Sequence, residues 1–217
     1  MKFAEFLLLF SVFLQSTENL KIKNTAANSL VQIIKIILSL TLVFNSRIEI
    51  WSLLLILQFF SLAQFRGNLN GGSDAMTTIS LVCMTLMSTA NDYLQKIGLY
   101  YLSIQVIFSY FIAGIVKLKE SDWRNGEALG KFLNQAFYKD EFLARILQNK
   151  NLHKPISLFM IFWEISFPVI FFVPKLMPVY LFIGFGFHLV NAFIFGLHRF
   201  FWAWIATYPV VGYFLSK

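Results

Sequence analysis

The sequence has a single cysteine, Cys83, and it lies inside an apolar stretch. One thiol cannot close an internal disulfide framework or supply a cysteine-based zinc site. Charge is scarce as well: 13% of residues are Asp, Glu, Lys or Arg, against about a quarter in soluble domains. No metal-ligand cluster, serine triad or phosphate-binding glycine loop appears, so chemistry built on those devices has no footing. No run alternates apolar with polar residues, which removes an antiparallel membrane barrel. Internal repeats, low-complexity tracts and linkers are missing too, so one domain over residues 1–217 is expected.

What is present is apolar surface. Of 217 residues, 58% are hydrophobic and 26 are Phe. That exceeds what one water-soluble core encloses and places the chain among polytopic membrane proteins. The net charge of +7 does not point to nucleic acid. The bases stand mostly at the ends of apolar runs, where they meet lipid headgroups and set topology.

A hydrocarbon core of about 30 Å needs roughly 20 apolar residues as a helix. Apolar runs lie at 3–15 (short), 27–44, 50–65, 75–91, 98–117, 157–174, 178–197 and 199–215. Lipid offers no partner to a backbone N–H or C=O, so the expectation is an all-α membrane bundle of seven or eight transmembrane helices. The first run imitates a signal peptide, but only Lys2 precedes its apolar core, Glu5 interrupts it, and no small-residue cleavage site follows. A short first span is expected instead. Residues 118–156 make the one long loop. In it Leu129, Phe132, Leu133, Ala136 and Phe137 recur at helical spacing, as do Phe142, Leu143, Ile146 and Leu147 after Asp140. The pattern predicts two short amphipathic helices, either lying in the interface plane or capping the bundle as ordinary soluble helices. The side holding loops 16–26, 66–74, 117–156 and 198–199 carries the larger share of Lys and Arg, which places the long loop in the cytoplasm.

Ionisable groups inside a span are costly and tend to face a bundle interior, so each is a functional candidate. Glu164 lies inside its run with Pro168 four residues on, and His188 is mid-span with Asn191 one turn later on the same face. Gly184 and Gly186 leave room for a neighbouring backbone or a flat ligand. Gln105 and Lys35 are weaker examples. At 1.5 Å per residue, Glu164 lies about 10 Å and His188 about 15 Å from the long-loop end of their helices. Lys117 lies at that end too, as does the polar stretch with Gly71, Gly72 and Asp74. The expectation is a pocket open to one membrane face. Lys117, Glu164 and His188 would be its chemical groups, with Asp74, Asn191, Gln105, Gly71, Gly72 and Trp123 around them. Plainer readings stay open beside this one. Lys117 also suits the carbonyl end of a helix and can snorkel to headgroups. Glu164 and His188 would serve as interhelical glue, Gly71–Asp74 as a turn with a first-turn acid, and Trp123 as an interfacial anchor.

The stretch YFIAGIVKL…W..G at 110–126 resembles the signature of the membrane domain of vitamin K-dependent gamma-carboxylases, within the HTTM (horizontally transferred transmembrane) family. NGGSDA at 70–75, the acid Glu164 and FH..N...F at 187–195 continue that resemblance in order. The segment KLKESDWRNGEA is similar in spacing to the bacterial SdpB branch, implicated in maturing a secreted antimicrobial peptide. The resemblance implies a lysine base at Lys117, an isoprenoid quinone or hydroquinone as cofactor, a small secreted peptide as client, and a bacterial cytoplasmic membrane as location. The carboxylases place a histidine where this chain reads Ser73–Asp74 and carry a large C-terminal soluble part, so glutamate carboxylation itself is not implied. Three functions follow as alternatives: a factor that matures or modifies a peptide, a quinone-linked redox protein, and a non-catalytic membrane immunity or chaperone component.

Overall fold

The structure, a computed structural model, describes residues 2–22, 25–64, 71–135 and 149–216, and among them every regular element is helical. The helices are α1 (Lys2–Ile22), α2 (Ala26–Phe44), α3 (Ile48–Gln64), α4 (Gly72–Met87), α5 (Asp92–Lys119), α6 (Ser121–Asn125) and α7 (Glu127–Gln135). They continue with α8 (Lys150–Ser166), α9 (Val169–Phe172), a 3-10 turn (Pro174–Leu176), α10 (Met177–Phe195), α11 (His198–Ile205) and α12 (Tyr208–Leu215). Side-chain caps start several of them. Thr25 accepts the Asn28 amide at 3.3 Å ahead of α2, and Asn149 accepts the Asn151 amide at 3.1 Å ahead of α8. Ahead of α5, Asn91 accepts the amides of Tyr93 and Leu94 at 2.9 and 3.2 Å.

The all-helical expectation is met, and the apolar runs become helices with instructive differences at their ends. α1 runs on past residue 15 because its polar side chains find partners: Gln15 Nε2 donates to Thr77 Oγ1 at 2.7 Å. α8 begins at Lys150, before the apolar run expected at 157, because Asn149 caps it there. It ends at Ser166, where Pro168 removes the amide that Glu164 C=O would bond; Phe167 N bonds that carbonyl instead, at 3.3 Å. The last run, expected as one span, is two eight-residue helices separated at Ala206–Thr207. Thr207 Oγ1 bonds Trp204 O at 2.7 Å at the break, and Pro209 opens the next turn. Of the two predicted amphipathic helices, α7 is the first; residues 142–147 lie outside the described residues. Among the described residues, three helical segments are long and apolar enough to cross a membrane: Ala26–Phe44, Asp92–Lys119 and Pro174–Phe195.

The chain forms two compact units, one of residues up to Ser103 with Arg199–Leu215, the other of Ile104–His198. In the first, α1 packs on α2, α4 and α12, and α3 packs on α2 and α4. Leu8, Leu9, Leu42, Trp51, Leu54 and Leu81 are buried there. So is a polar stripe on α2 at helical spacing, Asn28, Gln32, Lys35 and Ser39. Its bonds cross between helices: Gln32 to Ser61 at 3.1 Å and Lys35 Nζ to Gln58 Oε1 at 2.7 Å. In lipid, apolar contact between helices has no hydrophobic drive, so such bonds and close packing hold the helices together. In the second unit, α6 and α7 pack on α8, and the 3-10 turn packs on α9 and α10. Gly126 ends α6 with φ +89°, and a Cβ there would stand 2.5 Å from Lys154 N. Only glycine allows that turn and that approach together.

Candidate functional site

Lys117 stands in the last turn of α5 and Glu164 in the last turn of α8. The Lys117 ammonium donates to both Glu164 oxygens at 2.7 Å. Side-chain exposure is 15% for the lysine and 2% for the acid, so the carboxylate is the enclosed partner. The carbonyl end of α5 also favours a cation. Trp123 closes over the amine, its ring centroid 5.2 Å from Lys117 Nζ. Trp123 is fixed from both sides: its carbonyl accepts a hydrogen bond from Ser157 Oγ, and its ring lies against Phe132. Arg124 Nη1 donates to the carbonyls of Leu118 and Lys119 at 2.7 and 2.6 Å, satisfying the end of α5. On the exposed side of α7, Lys131 bonds Asp122 at 2.5 Å, and that hydrogen bond raises its pKa.

Beside this pair lies a cavity of about 690 Å³, within the range of small-molecule sites. Lys117, Trp123, Ser157 and Asn191 supply its polar groups; Phe132, Phe159, Phe187, Ile194 and Phe195 supply much of the apolar wall. Asn191 Nδ2 is turned to its own helix, donating to Phe187 O at 2.8 Å. Gly186 lines the cavity, and a Cβ there would meet nothing within 4 Å, so this glycine faces open space rather than a close helix.

His188 is buried at 1% exposure, and its Nε2 meets the Tyr110 hydroxyl at 2.6 Å. Tyr110 in turn stacks on Phe167, centroids 4.2 Å apart and planes 14° from parallel, with Trp163 edge-on. Gln105 Nε2 bonds Ser109 Oγ on its own helix at 3.3 Å.

The structure therefore brings Lys117, Trp123 and Asn191 to one cavity, holds Glu164 behind Lys117 outside the cavity lining, and seats His188 in an aromatic cluster of the same unit. Asp74 belongs to the other unit. There it is buried, and Arg199 Nη2 reaches its Oδ1 at 2.7 Å while Arg199 Nε faces Glu18 at 3.6 Å. Gly71 caps α4 from an exposed position, its carbonyl accepting the Asp74 amide at 3.1 Å, and Gly72 lies against Phe200. Three partners escaped sequence reasoning. Tyr110 stands seven residues before Lys117, a spacing that marks one helix face and could have found it. Arg199 reads from sequence as a headgroup-facing base, and nothing in the pattern pairs it with Asp74. Ser157 opens an apolar run without any signal.

A family model described as the HTTM domain matches residues 60–214, well over half of the chain and inclusive of every group just placed around the cavity. No curated protein and no solved structure matches the chain. The apolar helices and the matched family together make this an integral membrane protein.

Proposed function

The chain belongs to the HTTM family, and from that premise we propose that it matures or modifies a secreted peptide, with Lys117 and Glu164 as the reacting groups. The observation that carries this reading is their pairing at 2.7 Å beside a large apolar cavity. Such a pair holds a proton between two oxygens and a nitrogen, and the proton can change sides without altering the net charge of the site. That is what a general base needs when it must act in a medium with little water. The Trp123 ring covers the amine, and Asn191 adds a second polar group to the cavity lining. The similarity of residues 117–128 to the SdpB branch supports a peptide as the client and a bacterial cytoplasmic membrane as the location. The remaining apolar helices are read as further crossings of one bundle of seven or eight.

A quinone-linked reading is favoured by a separate observation, the composition of the cavity wall. Four phenylalanines and several aliphatic side chains surround a small set of polar groups, which fits a ring with one polar edge and an isoprenoid tail. An isoprenoid hydroquinone bound there would supply reducing equivalents. Lys117 and Asn191 would orient its polar edge, and the phenylalanines would exclude water.

Both readings are tested on the purified protein and in cells. The peptide reading predicts a small secreted-peptide gene beside this one, and Lys117→Ala and Glu164→Gln are each expected to abolish its mature peptide while the protein still inserts in the membrane. Full maturation by Lys117→Ala, Glu164→Gln and His188→Ala would leave the non-catalytic immunity or chaperone role in place. Native mass spectrometry of the purified chain is expected to show a bound quinone or peptide, and Gly186→Phe, which fills the cavity, is expected to displace it.

A further inference from the structure

Gly114 lies on the face of α5 that carries Tyr110 and Lys117, four residues after the first and three before the second. A Cβ built on it would stand 2.8 Å from both the backbone nitrogen and Cγ1 of Ile165, and 2.9 Å from Glu164 Cβ. One of those atoms is main chain and another is fixed directly to it, so they cannot swing aside. The contact is flanked on both sides by the interactions already described. Tyr110 stacks on Phe167 to one side, and Lys117 holds Glu164 on the other. α5 and α8 therefore touch backbone to backbone at the level of the acid that Lys117 must reach.

We propose that Gly114 is a positioning residue for the Lys117–Glu164 pair. Its missing side chain sets a separation of α5 and α8 at which the amine meets both carboxylate oxygens. A methyl group there parts the helices and leaves Lys117 with one lengthened contact, its amine turned toward the cavity. This rests on the reading of Lys117 and Glu164 as the reacting pair. The opposing account is that Gly114 only packs, as Gly98 does where its Cβ would stand 2.7 Å from Cys83 O.

The test is labelling of the intact protein in detergent with an amine-reactive reagent, with the rate at Lys117 followed by peptide mass spectrometry. Gly114→Ala is expected to raise that rate on the order of tenfold, the size of one lost hydrogen bond to a charged group. Glu164→Gln is expected to raise it as well, and Gly114→Ala is expected to add little on the Glu164→Gln background. Gly98→Ala, the packing control on the same helix, should lower the melting temperature without changing labelling at Lys117. The proposal is overturned if Gly114→Ala melts earlier but labels at the wild-type rate, or if its effect multiplies fully with that of Glu164→Gln. Should Gly114→Ala not accumulate, Gly114→Ala with Ile165→Ala takes its place, since the second change removes one of the crowding atoms. Failure of both to accumulate would make Gly114 a packing residue. Labelling does not depend on any activity. A changed rate with intact peptide maturation in Lys117→Ala therefore sinks the functional reading and leaves the positioning role standing.

Discussion

Lys117 exposes 15% of its side chain and Glu164 only 2%, and this inequality separates the outcomes of removing each partner. A lysine at a helix end can carry its ammonium toward headgroups on a four-carbon stem. The acid has no such route, and a buried charge left without its partner costs about 3–5 kcal/mol. Lys117→Ala is therefore expected to lower the melting temperature in detergent clearly more than Glu164→Gln, which keeps a neutral acceptor in place. Equal losses in the two variants would mean that both groups are equally enclosed. Tyr110→Phe should be milder than either. It gives up the bond to His188, about 0.6–1 kcal/mol for an interhelical bond in lipid, and keeps the ring on Phe167.

Among the elements, the junction of α6 with α8 decides whether the cavity keeps the wall formed by Trp123, Leu129 and Phe132. Gly126 holds that junction through a left-handed φ of +89° and a main-chain approach to Lys154. An alanine would suffer both the conformational penalty, about 1 kcal/mol, and a collision with backbone. Gly126→Ala is expected to open α6 and α7 to limited proteolysis while α2 and α3 stay protected; an unchanged cleavage pattern would refute it. The centres of the helices were legible because lipid selects for continuous apolar runs. Their ends were not, because caps and polar partners set them: Asn149 starts α8 within a charged segment, and Gln15 carries α1 onward by bonding Thr77. The break at Thr207 was hidden by side chains that stay apolar on both sides of it. Depth along a helix put Lys117 and Glu164 both toward the long-loop end. Lys117 is in the last turn of α5 as expected, whereas Glu164 is in the last turn of α8, away from the long loop, because α8 starts at Lys150 and stops before Pro168. Depth could not supply the order of helices, and the pairing of Asp74 with Arg199 has no signal in the sequence.

At the scale of the whole molecule, the family match begins at residue 60, yet α1 and α2 precede it and hold much of the first unit's polar network. Gln15 bonds Thr77, Gln32 bonds Ser61, Lys35 bonds Gln58, and Arg199 Nη1 bonds Asn19 at 3.3 Å. Removing residues 1–44 would expose Thr77, Ser61, Gln58 and one side of Arg199 to hydrocarbon, where unpaired polar groups are expensive. The truncated chain is expected to be degraded rather than to accumulate in membranes, as immunoblotting of membrane fractions would register; stable accumulation would show the network to be dispensable. The cavity of the second unit has a consequence of a different kind. Phe159 and Val190 line it and are themselves 51% and 38% exposed, so part of its wall is apolar surface open to other molecules. Were that surface to face acyl chains, a molecule dissolved in the bilayer would reach Lys117 by lateral diffusion in two dimensions. Occupancy would then follow the mole fraction of that molecule among the lipids, so apparent affinity measured in detergent would scale with the micellar volume into which the ligand is diluted.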